Sequence, residues 1–210
     1  ADHRRTSRPF GNNCGFTIGE AAQFIVLMDD ALALELGVNV LGSVADVFTN
    51  ADGVKKSITA PGPGNYITMA KSVALATTIL GAESVQQRSF ILAHGSSTPQ
   101  NRVTESLIYD RVAQSFDIDH WPVAAPKAFV GHTIGPASGD QVVMALGVFA
   151  HNIMPGITTI DKVADDVYDD RLNIATEHWH CHSMDIAFIN SKVFGGNNAT
   201  ATLLSPQVTL

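Results

Sequence analysis

The sequence lacks the features that mark membrane-spanning, secreted and nucleic-acid-binding proteins. No apolar run approaches the roughly 18 residues of a transmembrane helix. The two cysteines, Cys14 and Cys181, are too few for a disulfide framework. The net charge of −7, with scattered Lys and Arg, leaves no basic patch for nucleic acid or anionic lipid. These absences argue against a membrane span and a nucleic-acid interface, and the cysteine content predicts a cytoplasmic protein.

The opening stretch ADHRRTSRPF has neither a starting methionine nor the apolar core of a signal peptide. We therefore expect the 210 residues to be a piece of a longer protein. Because 45% of the residues are hydrophobic, the chain can nevertheless bury a sizeable core.

Strand-like and helical patterns alternate along the chain, which indicates an α/β layer fold. The strands are predicted at residues 15–28, 39–49, 88–95, 122–131, 184–193 and 198–206. The helices are predicted at residues 31–37, 66–80, 104–116 and 138–154. A loop is predicted at residues 50–65. The last two strands are joined through Phe194-Gly195-Gly196, which predicts a terminal hairpin and therefore a mixed sheet.

Several standard catalytic motifs are incomplete. GPGNYI lacks the third glycine of a dinucleotide-binding loop, and GHTIGPASG lacks the Lys-Ser/Thr of a phosphate-binding loop. GSSTP departs from the nucleophile elbow of serine hydrolases at its last position. The sequence therefore supports neither nucleotide nor serine-hydrolase chemistry.

His94 and His132 are the best candidates for catalysis, although either one alone would more often be structural. Each follows a strand-like run and precedes a glycine or a helix start, where α/β folds place their sites. The helix dipole disfavours protonation of a histidine at the helix N-terminus, because the positive end of the dipole lies there. Its neutral ring can donate an N–H to an oxyanion. We expect the two histidines to meet at one reaction centre.

Three motifs in order carry a resemblance to a known family. They are AHGSSTP with Glu105 eleven residues after His94, then KAFVGHTIGPASG, then NSKVFGGNNAT. Together with RPF and GFTIGEAAQFIVL near the start, they resemble the β-ketoacyl-ACP synthases across residues 7–206. The resemblance implies a thiolase-like αβαβα fold with mixed sheets. In it, residues 1–50 are the tail of the N-terminal half and residues 51–210 the C-terminal half.

The resemblance also implies a reaction, which is the decarboxylating Claisen condensation of an acyl-enzyme with malonyl-ACP. His132 fills the second place of a Cys-His-His site, and SKVFGGNN contains no cysteine, which favours the elongating branch of these acyltransferases. The implied partners are acyl carrier protein, the N-terminal half of the same enzyme and a second copy in a homodimer. No cofactor is implied, because the substrate carries phosphopantetheine on its carrier.

The roles of individual residues follow from the resemblance. His94 and His132 are the catalytic histidines, Lys127 orders the site and Glu105 holds the network around it. Substrate-binding roles fall to the hydroxyls of Ser96 and Thr98, to the gating aromatic Phe194 and to Gly195. No metal ligand is implied.

The chain also departs from the family pattern. Arg102 stands where an acidic residue is usual, Ala22 where a glycine is usual, and Pro136 and Ser138 replace small residues. The family's nucleophilic cysteine lies upstream, and neither Cys14 nor Cys181 matches its position. We therefore expect this chain alone to be inactive.

Two other interpretations remain. A non-catalytic partner resembling a chain-length factor would keep the fold without the cysteine, although such subunits usually lose the histidines retained here. In EHWHCH, the side chains of His178, His180 and His182 would share one side of an extended segment and could hold zinc. A solvated loop is the more common outcome for such a segment, and the acidic run DKVADDVYDD is expected to be a solvated connection.

Overall fold

Seven helices and eight strands form within residues 6–12, 15–53 and 62–209, which are the residues described by the computed structural model. The helices are α1 (Asp30–Leu36), α2 (Pro63–Leu80), α3 (Ala82–Arg88), α4 (Pro99–Ser115), α5 (Lys127–Val130), α6 (Ala137–His151) and α7 (Pro206–Thr209). The strands are β1 (Ser43–Ala51), β2 (Ser89–Leu92), β3 (Trp121–Ala124), β4 (Ile153–Met154), β5 (Leu172–Asn173), β6 (Trp179–His180), β7 (Ile186–Val193) and β8 (Asn197–Leu204).

The central sheet is six-stranded and mixed, as the terminal hairpin predicted. Its order is β1-β8-β7-β2-β3-β5, and β4 pairs with β6 in a separate antiparallel ribbon. The pairs β1–β8 and β8–β7 are antiparallel, whereas β7–β2, β2–β3 and β3–β5 are parallel. The parallel strands β2 and β3 therefore end at the same edge, and the segments that follow them carry His94 and His132.

Helices cover both faces of this sheet. On one face, Ile91 of β2 lies in a core cluster with Met69 of α2 and Tyr109 of α4. On the other face, Phe90 of β2 packs edge-on against Phe149 of α6, with ring centroids 5.8 Å apart. Because side chains alternate along a strand, β2 supplies both cores from adjacent residues. The predicted α/β fold is confirmed, with the sheet between two helical layers.

The hairpin that closes the chain is paired along its whole length. Ile186 lies opposite Leu204 and Val193 opposite Asn197, which leaves Phe194, Gly195 and Gly196 as the connecting turn. The two glycines have φ angles of 84° and 80°, in a region that side chains with a Cβ rarely adopt. The turn therefore requires both glycines, and Phe194 is carried at its tip.

The predicted strand at residues 15–28 is wrong. Residues 15–29 form no regular strand, and their one pairing within the described residues is an isolated parallel bridge between Ile18 and His132. Phe24 and Val26 are 96% and 80% exposed. A β-rich composition does not make a strand where no neighbouring backbone completes the hydrogen bonds.

The strand predicted at residues 39–49 forms, with slightly different bounds. It runs over Ser43–Ala51 and pairs with β8 at the edge of the chain's own sheet. The predicted domain boundary at residue 50 thus falls inside β1. The adjoining helix α1 ends at Gly37 as predicted, with the glycine in the left-handed conformation.

Other elements also differ from expectation. Of the strand predicted at residues 122–131, only Trp121–Ala124 is β, because after Pro126 the chain makes the helical turn α5. Helix α3 was not predicted, and it follows α2 after a break at Gly81. The middle of the loop predicted at residues 50–65, residues 54–61, lies outside the described part of the chain, and helix α2 already begins at Pro63.

The helices in the described ranges are all too short or too polar to cross a bilayer.

Candidate active site

His94 lies just beyond the carboxyl end of β2 and is held through its backbone. It is 5% exposed. Its N–H donates to Oε1 of Glu105 at 2.6 Å, and its carbonyl oxygen accepts from Nζ of Lys127 at 2.5 Å. Charge-assisted hydrogen bonds of this kind are shorter and stronger than neutral ones. Both polar groups of the His94 backbone are therefore fixed by buried side chains of opposite charge.

The Glu105 carboxylate, on α4, is fully buried and gathers the loop around it. It accepts five hydrogen bonds, from the N–H groups of His94 and Gly95, the amides of Asn101 and Asn190, and the hydroxyl of Tyr109. A buried carboxylate with its lone pairs satisfied in this way can be retained without an ion-pair contact. Glu105 thereby ties α4 and β7 to the segment that carries His94.

His132 is held by a different part of the chain. Its N–H donates to the carbonyl oxygen of Thr17 at 2.7 Å, and its carbonyl accepts from the N–H of Gly19 at 3.0 Å. The Phe16 ring packs on the imidazole with centroids 4.7 Å apart. A Cβ on Gly19 would lie 1.9 Å from the carbonyl oxygen of Val130, so only glycine fits there. The residues expected to form a strand instead fix the position of His132.

The two imidazoles lie together, with ring centroids 5.2 Å apart and planes inclined at 78°. His94 Nδ1 accepts from the N–H of Lys192 at 3.4 Å, and His132 Nδ1 accepts from the N–H of Ile134 at 3.0 Å. A neutral imidazole that accepts at Nδ1 carries its proton on Nε2. The hydrogen bonds thus assign both histidines as Nε2–H donors.

Electrostatics favour the neutral form of both rings. Burial holds the pKa of His94 well below its usual value, and the positive groups of Lys127, His132 and Lys192 act in the same direction. Burial and the nearby Lys127 lower the pKa of His132 to about 4. Burial also lowers the pKa of Lys127, to about 8, against the opposing effect of Glu105 and Asp140. Near neutral pH the site therefore presents two uncharged donors.

The four predicted substrate-binding residues have different surroundings. Ser96 is buried, and its hydroxyl lies 3.3 Å from that of Thr98. Thr98 also caps α4, because its hydroxyl accepts from the N–H of Asn101. Phe194 is 71% exposed at the tip of the hairpin, next to the exposed Gly195. The roles of these four residues remain predictions.

Sequence reasoning missed several residues that build the site. Asn190 on β7 bonds to Asn65, Glu105 and Tyr109. Gln141 on α6 donates from Nε2 to the carbonyls of Leu92, Ala93 and Asn190 at 2.8, 2.9 and 2.9 Å. The available signal was a lone amide within an apolar strand or helix, since such groups persist in cores only when hydrogen-bonded.

Arg102, the unusual basic residue near Glu105, pairs with a distant acid. Its guanidinium makes two hydrogen bonds to Asp166, at 2.7 and 2.8 Å, and a third to the carbonyl of Gly11. The acidic run expected to be a solvated connection is thus attached to α4 through Asp166.

The EHWHCH segment does not gather its histidines into one cluster. His178 stacks on Phe129 at 5.8 Å, and His182 Nε2 lies 2.6 Å from the carbonyl of Gln87. Within residues 6–12, 15–53 and 62–209, no group of three potential metal ligands forms. Cys181 lies in the apolar cluster beside α6, where burial raises the pKa of its thiol. Cys14 lies outside the described residues.

The sequence is similar to those of known proteins. Residues 41–161 match the family described as "Beta-ketoacyl synthase, C-terminal domain". The chain is 60% identical over 208 residues to the β-ketoacyl-[acyl-carrier-protein] synthase FabY of Pseudomonas aeruginosa, covering 99% of this chain and 33% of that protein. It is 32% identical to a 3-oxoacyl-[acyl-carrier-protein] synthase 2 of Synechocystis, covering 95% of this chain and 46% of that protein.

Structural comparison agrees. The crystal structure of the ketosynthase FabY from P. aeruginosa superposes with a TM-score of 0.95 at 59% identity, over 98% of this chain and 32% of that one. The chain thus spans about a third of FabY and about half of the Synechocystis relative. The chain belongs to the β-ketoacyl synthase family, and its fold is the thiolase-like fold of the ketosynthases.

Proposed function

We propose that this chain is the two-histidine part of an elongating β-ketoacyl-[acyl-carrier-protein] synthase. The enzyme is an acyltransferase of fatty acid or polyketide chain elongation that acts by decarboxylating Claisen condensation. The observation that carries the proposal is the convergence of His94 and His132, 5.2 Å apart, each with its proton assigned to Nε2.

The geometry fits the difficult step of this reaction. When malonyl thioester loses CO2, the C–C bond breaks and its electron pair forms an enolate, whose charge lies on the thioester oxygen. Two preorganised neutral donors aimed at that oxygen stabilise the developing charge. The enolate carbon then attacks the acyl thioester, a new C–C bond forms and the thiolate departs. His94 and His132 are the proposed catalytic residues.

Lys127 and Glu105 are proposed to act by positioning rather than by contact with substrate. Lys127 Nζ holds the carbonyl of His94, and Glu105 holds its N–H. Neither side chain is accessible, since they are 3% and 0% exposed. Their proposed contribution is to fix the ring of His94 before substrate binds.

Acyl carrier protein is the proposed partner that delivers the substrate, as the name of the P. aeruginosa relative indicates for that protein. The phosphopantetheine arm would pass Ser96 and Thr98, whose hydroxyls lie beside His94 in the chain. Phe194 and Gly195 at the hairpin tip would bound the acyl site. The substrate carries its own prosthetic group, so the proposed reaction needs no further cofactor and no metal.

The nucleophile is proposed to be a cysteine outside these 210 residues. Cys181 is a poor candidate because its thiol is buried among apolar side chains, where its pKa is raised. The extended segment from Phe24 to Met28 exposes five consecutive apolar residues, and an apolar surface of this kind favours a protein contact. We propose that the N-terminal half of the enzyme covers it, and that the complete cytoplasmic enzyme is a homodimer.

The rival interpretation is a non-catalytic partner subunit resembling a chain-length factor. The neutral pair of histidines, with the buried lysine and glutamate that hold His94, favours the enzyme, since a subunit without chemistry has no need of them. A cysteine at the expected strand-to-helix turn upstream would favour the enzyme further, whereas glutamine or alanine there would favour the partner.

The test is an assay of the full-length protein with acyl-ACP and malonyl-ACP. We expect CO2 release coupled to formation of 3-oxoacyl-ACP. His94→Ala should abolish this activity and the exposed His180→Ala should retain it. The 210-residue chain alone should be inactive. A full-length protein that forms no product, or an isolated chain that becomes acylated and condenses, would overturn the proposal.

A further inference from the structure

The active-site region contains a second buried lysine that the proposed mechanism does not use. Lys192 lies on β7, two residues after Asn190 and opposite Asn198 of β8. The residue is 2% exposed. Its Nζ has no hydrogen-bond partner among the described residues, whereas Nζ of Lys127 bonds to the His94 carbonyl. Leaving an ammonium group buried without a partner is costly, so its retention requires a reason.

The backbone of Lys192 already takes part in the site. Its N–H donates to Nδ1 of His94, which assigns the proton of that ring to Nε2. Pairing of Lys192 with Asn198 of β8 holds this part of β7 in place, while β2 pairs with β7 further back, at residues 186–189. The backbone of Lys192 is therefore fixed relative to His94, independently of the Lys192 side chain.

Two buried carboxylates explain the position of the ammonium. Burial lowers the pKa of Lys192, while Glu105 and Asp52 both oppose that effect. Asp52 is 7% exposed and accepts hydrogen bonds from the N–H of Gly64 and the amide of Asn198. Glu105 likewise accepts only from uncharged groups. Lys192 therefore has Glu105 and Asp52 as opposing charges, and Lys127 has Glu105 and Asp140, with no direct ion pair to either lysine within the described residues.

We propose that Lys192 is a positioning residue, whose buried ammonium balances Glu105 and Asp52 and so keeps His94 an uncharged Nε2–H donor. This inference rests on the proposed function, in which a neutral His94 stabilises the enolate.

The charged groups around His94 determine how the protonation of its ring would change if Lys192 were removed. Lys127 from α5, His132 from the following turn and Lys192 from β7 disfavour its protonation, and Glu105 from α4 is the carboxylate that accepts from its backbone N–H. Tyr109, also from α4, stays an uncharged phenol, because burial and the adjacent Glu105 raise its pKa. Removing Lys192 takes away one of the three groups that disfavour a positive charge on His94. His94 should then take up a proton at a higher pH.

The experiment uses the full-length protein labelled with ¹⁵N-histidine, and ¹⁵N NMR to follow the charge of the His94 ring. A spectrum of His94→Ala assigns the signal. Lys192→Met and Lys192→Gln both remove the charge but keep the backbone N–H. We expect each to raise the protonation midpoint of His94 by about one pH unit or more, as one neighbouring charge does at a buried site. Lys192→Arg should restore the wild-type midpoint.

The matched control removes a lysine far from the site. Lys162 is exposed and pairs with Asp165, so Lys162→Met should leave the His94 midpoint unchanged. Malonyl-ACP decarboxylation is the second readout. In Lys192→Met, its rate should fall at acidic pH and recover near pH 8. A merely structural role would instead lower the rate equally at every pH, which would overturn the inference, as would an unchanged midpoint.

If the Lys192 variants fail to fold, the wild-type protein decides. His94 neutral at pH 6 with an accepting Nδ1, together with a charged Lys192 in a ¹⁵N-lysine spectrum, supports the inference. A charged His94 or an uncharged Lys192 at that pH overturns it. Failure of the proposed function is a separate result, because a wild-type protein that does not decarboxylate malonyl-ACP still reports the charge of His94.

Discussion

His94 and His132 lie 5.2 Å apart, but they are held in opposite ways. His94 is buried at the end of a central strand, where side chains from α4 and α5 satisfy its backbone. His132 is only half-buried on a glycine turn, and the backbone of an extended segment more than a hundred residues earlier satisfies it. His94 therefore depends on the core of the fold. His132 depends on residues 15–29, which we call the strap.

The two histidines are therefore held in place by different kinds of interaction. Around His94, the loss of one partner leaves buried polar groups unpaired, so damage should appear mainly as lost stability. Around His132, two backbone hydrogen bonds and the packing of Phe16 hold the ring at the edge of the fold. Damage there should appear mainly as lost activity, because the core does not depend on it.

The largest effect is expected on the His94 side, from Glu105→Gln. The new amide would direct its NH2 group at donors that now share the carboxylate, leaving at least one of them buried and unpaired. We expect the free energy of unfolding to fall by about 3–5 kcal/mol. Chemical denaturation of the full-length protein measures it.

The matched change for this prediction is Glu83→Gln. Glu83 is exposed in the first turn of α3, where its charge contributes at most about 1 kcal/mol through the helix dipole. If both variants unfolded at the same denaturant concentration as the wild type, the His94 region would not depend on the Glu105 network.

A smaller effect on stability, with a clear effect on activity, is expected on the His132 side from Gly19→Ala. The added methyl group would lie 1.9 Å from the carbonyl oxygen of Val130 and push the strap away from His132. Overpacking of this kind costs about 1–3 kcal/mol. A displaced oxyanion donor should lower decarboxylation about 10–100-fold.

Gly147→Ala provides the comparison for the strap. Gly147 lies within α6, with open space where a Cβ would be, so alanine should be neutral or slightly stabilising. Decarboxylation kinetics and thermal unfolding of both variants check the prediction. Equal activity in Gly19→Ala and Gly147→Ala would show that the strap does not position His132.

The smallest expected effect concerns pH. The pKa of His132 is lowered to about 4, and that of His94 lies well below its usual value of 6.5. Because both folded-state pKa values are depressed, the unfolded chain binds more protons, and the stabilising effect of the neutral rings is complete above about pH 6.5. It is lost as the pH falls toward 4.

Activity should follow the same titration. Between pH 7 and pH 5.5, the rate of decarboxylation should change by less than about twofold, since a ring with a pKa of about 4 stays neutral over that range. A pH–rate profile of the full-length enzyme measures this. An acid limb centred near pH 6.5 would mean that the histidines titrate as exposed groups.

The His94 side was largely predictable from sequence, and the His132 side was not. The apolar run ending at His94, the helix predicted at residues 104–116 and the terminal hairpin are local patterns, and each forms, although the helix already begins at Pro99. The strap depends instead on pairing between residues 17–19 and His132, which no local periodicity reveals. Its apolar composition predicted a strand, although no described strand lies beside it to complete one.

The same contrast applies to the network within the site. Glu105 was identified through a motif, but the amides of Asn101 and Asn190 that bond to it were not. Asn190 meets Glu105 only because the fold brings β7 to α4, whereas Asn101 lies four residues before Glu105 on the same helix. Similarly, β1 was predicted as a strand, but its pairing with β8 was not. These are the first and the last strand along the chain, and local sequence patterns do not reveal a contact between such distant segments.

The central claim is that His132 acts together with His94 as a neutral donor to the enolate oxygen. The most direct test is His132→Ala in the full-length enzyme, with acyl transfer to the enzyme and malonyl-ACP decarboxylation measured separately. The exposed His151→Ala serves as the control. We predict near-normal acylation and a decarboxylation rate lowered about 10²–10³-fold. Decarboxylation at a near-normal rate, or loss of acylation with decarboxylation intact, would contradict the account.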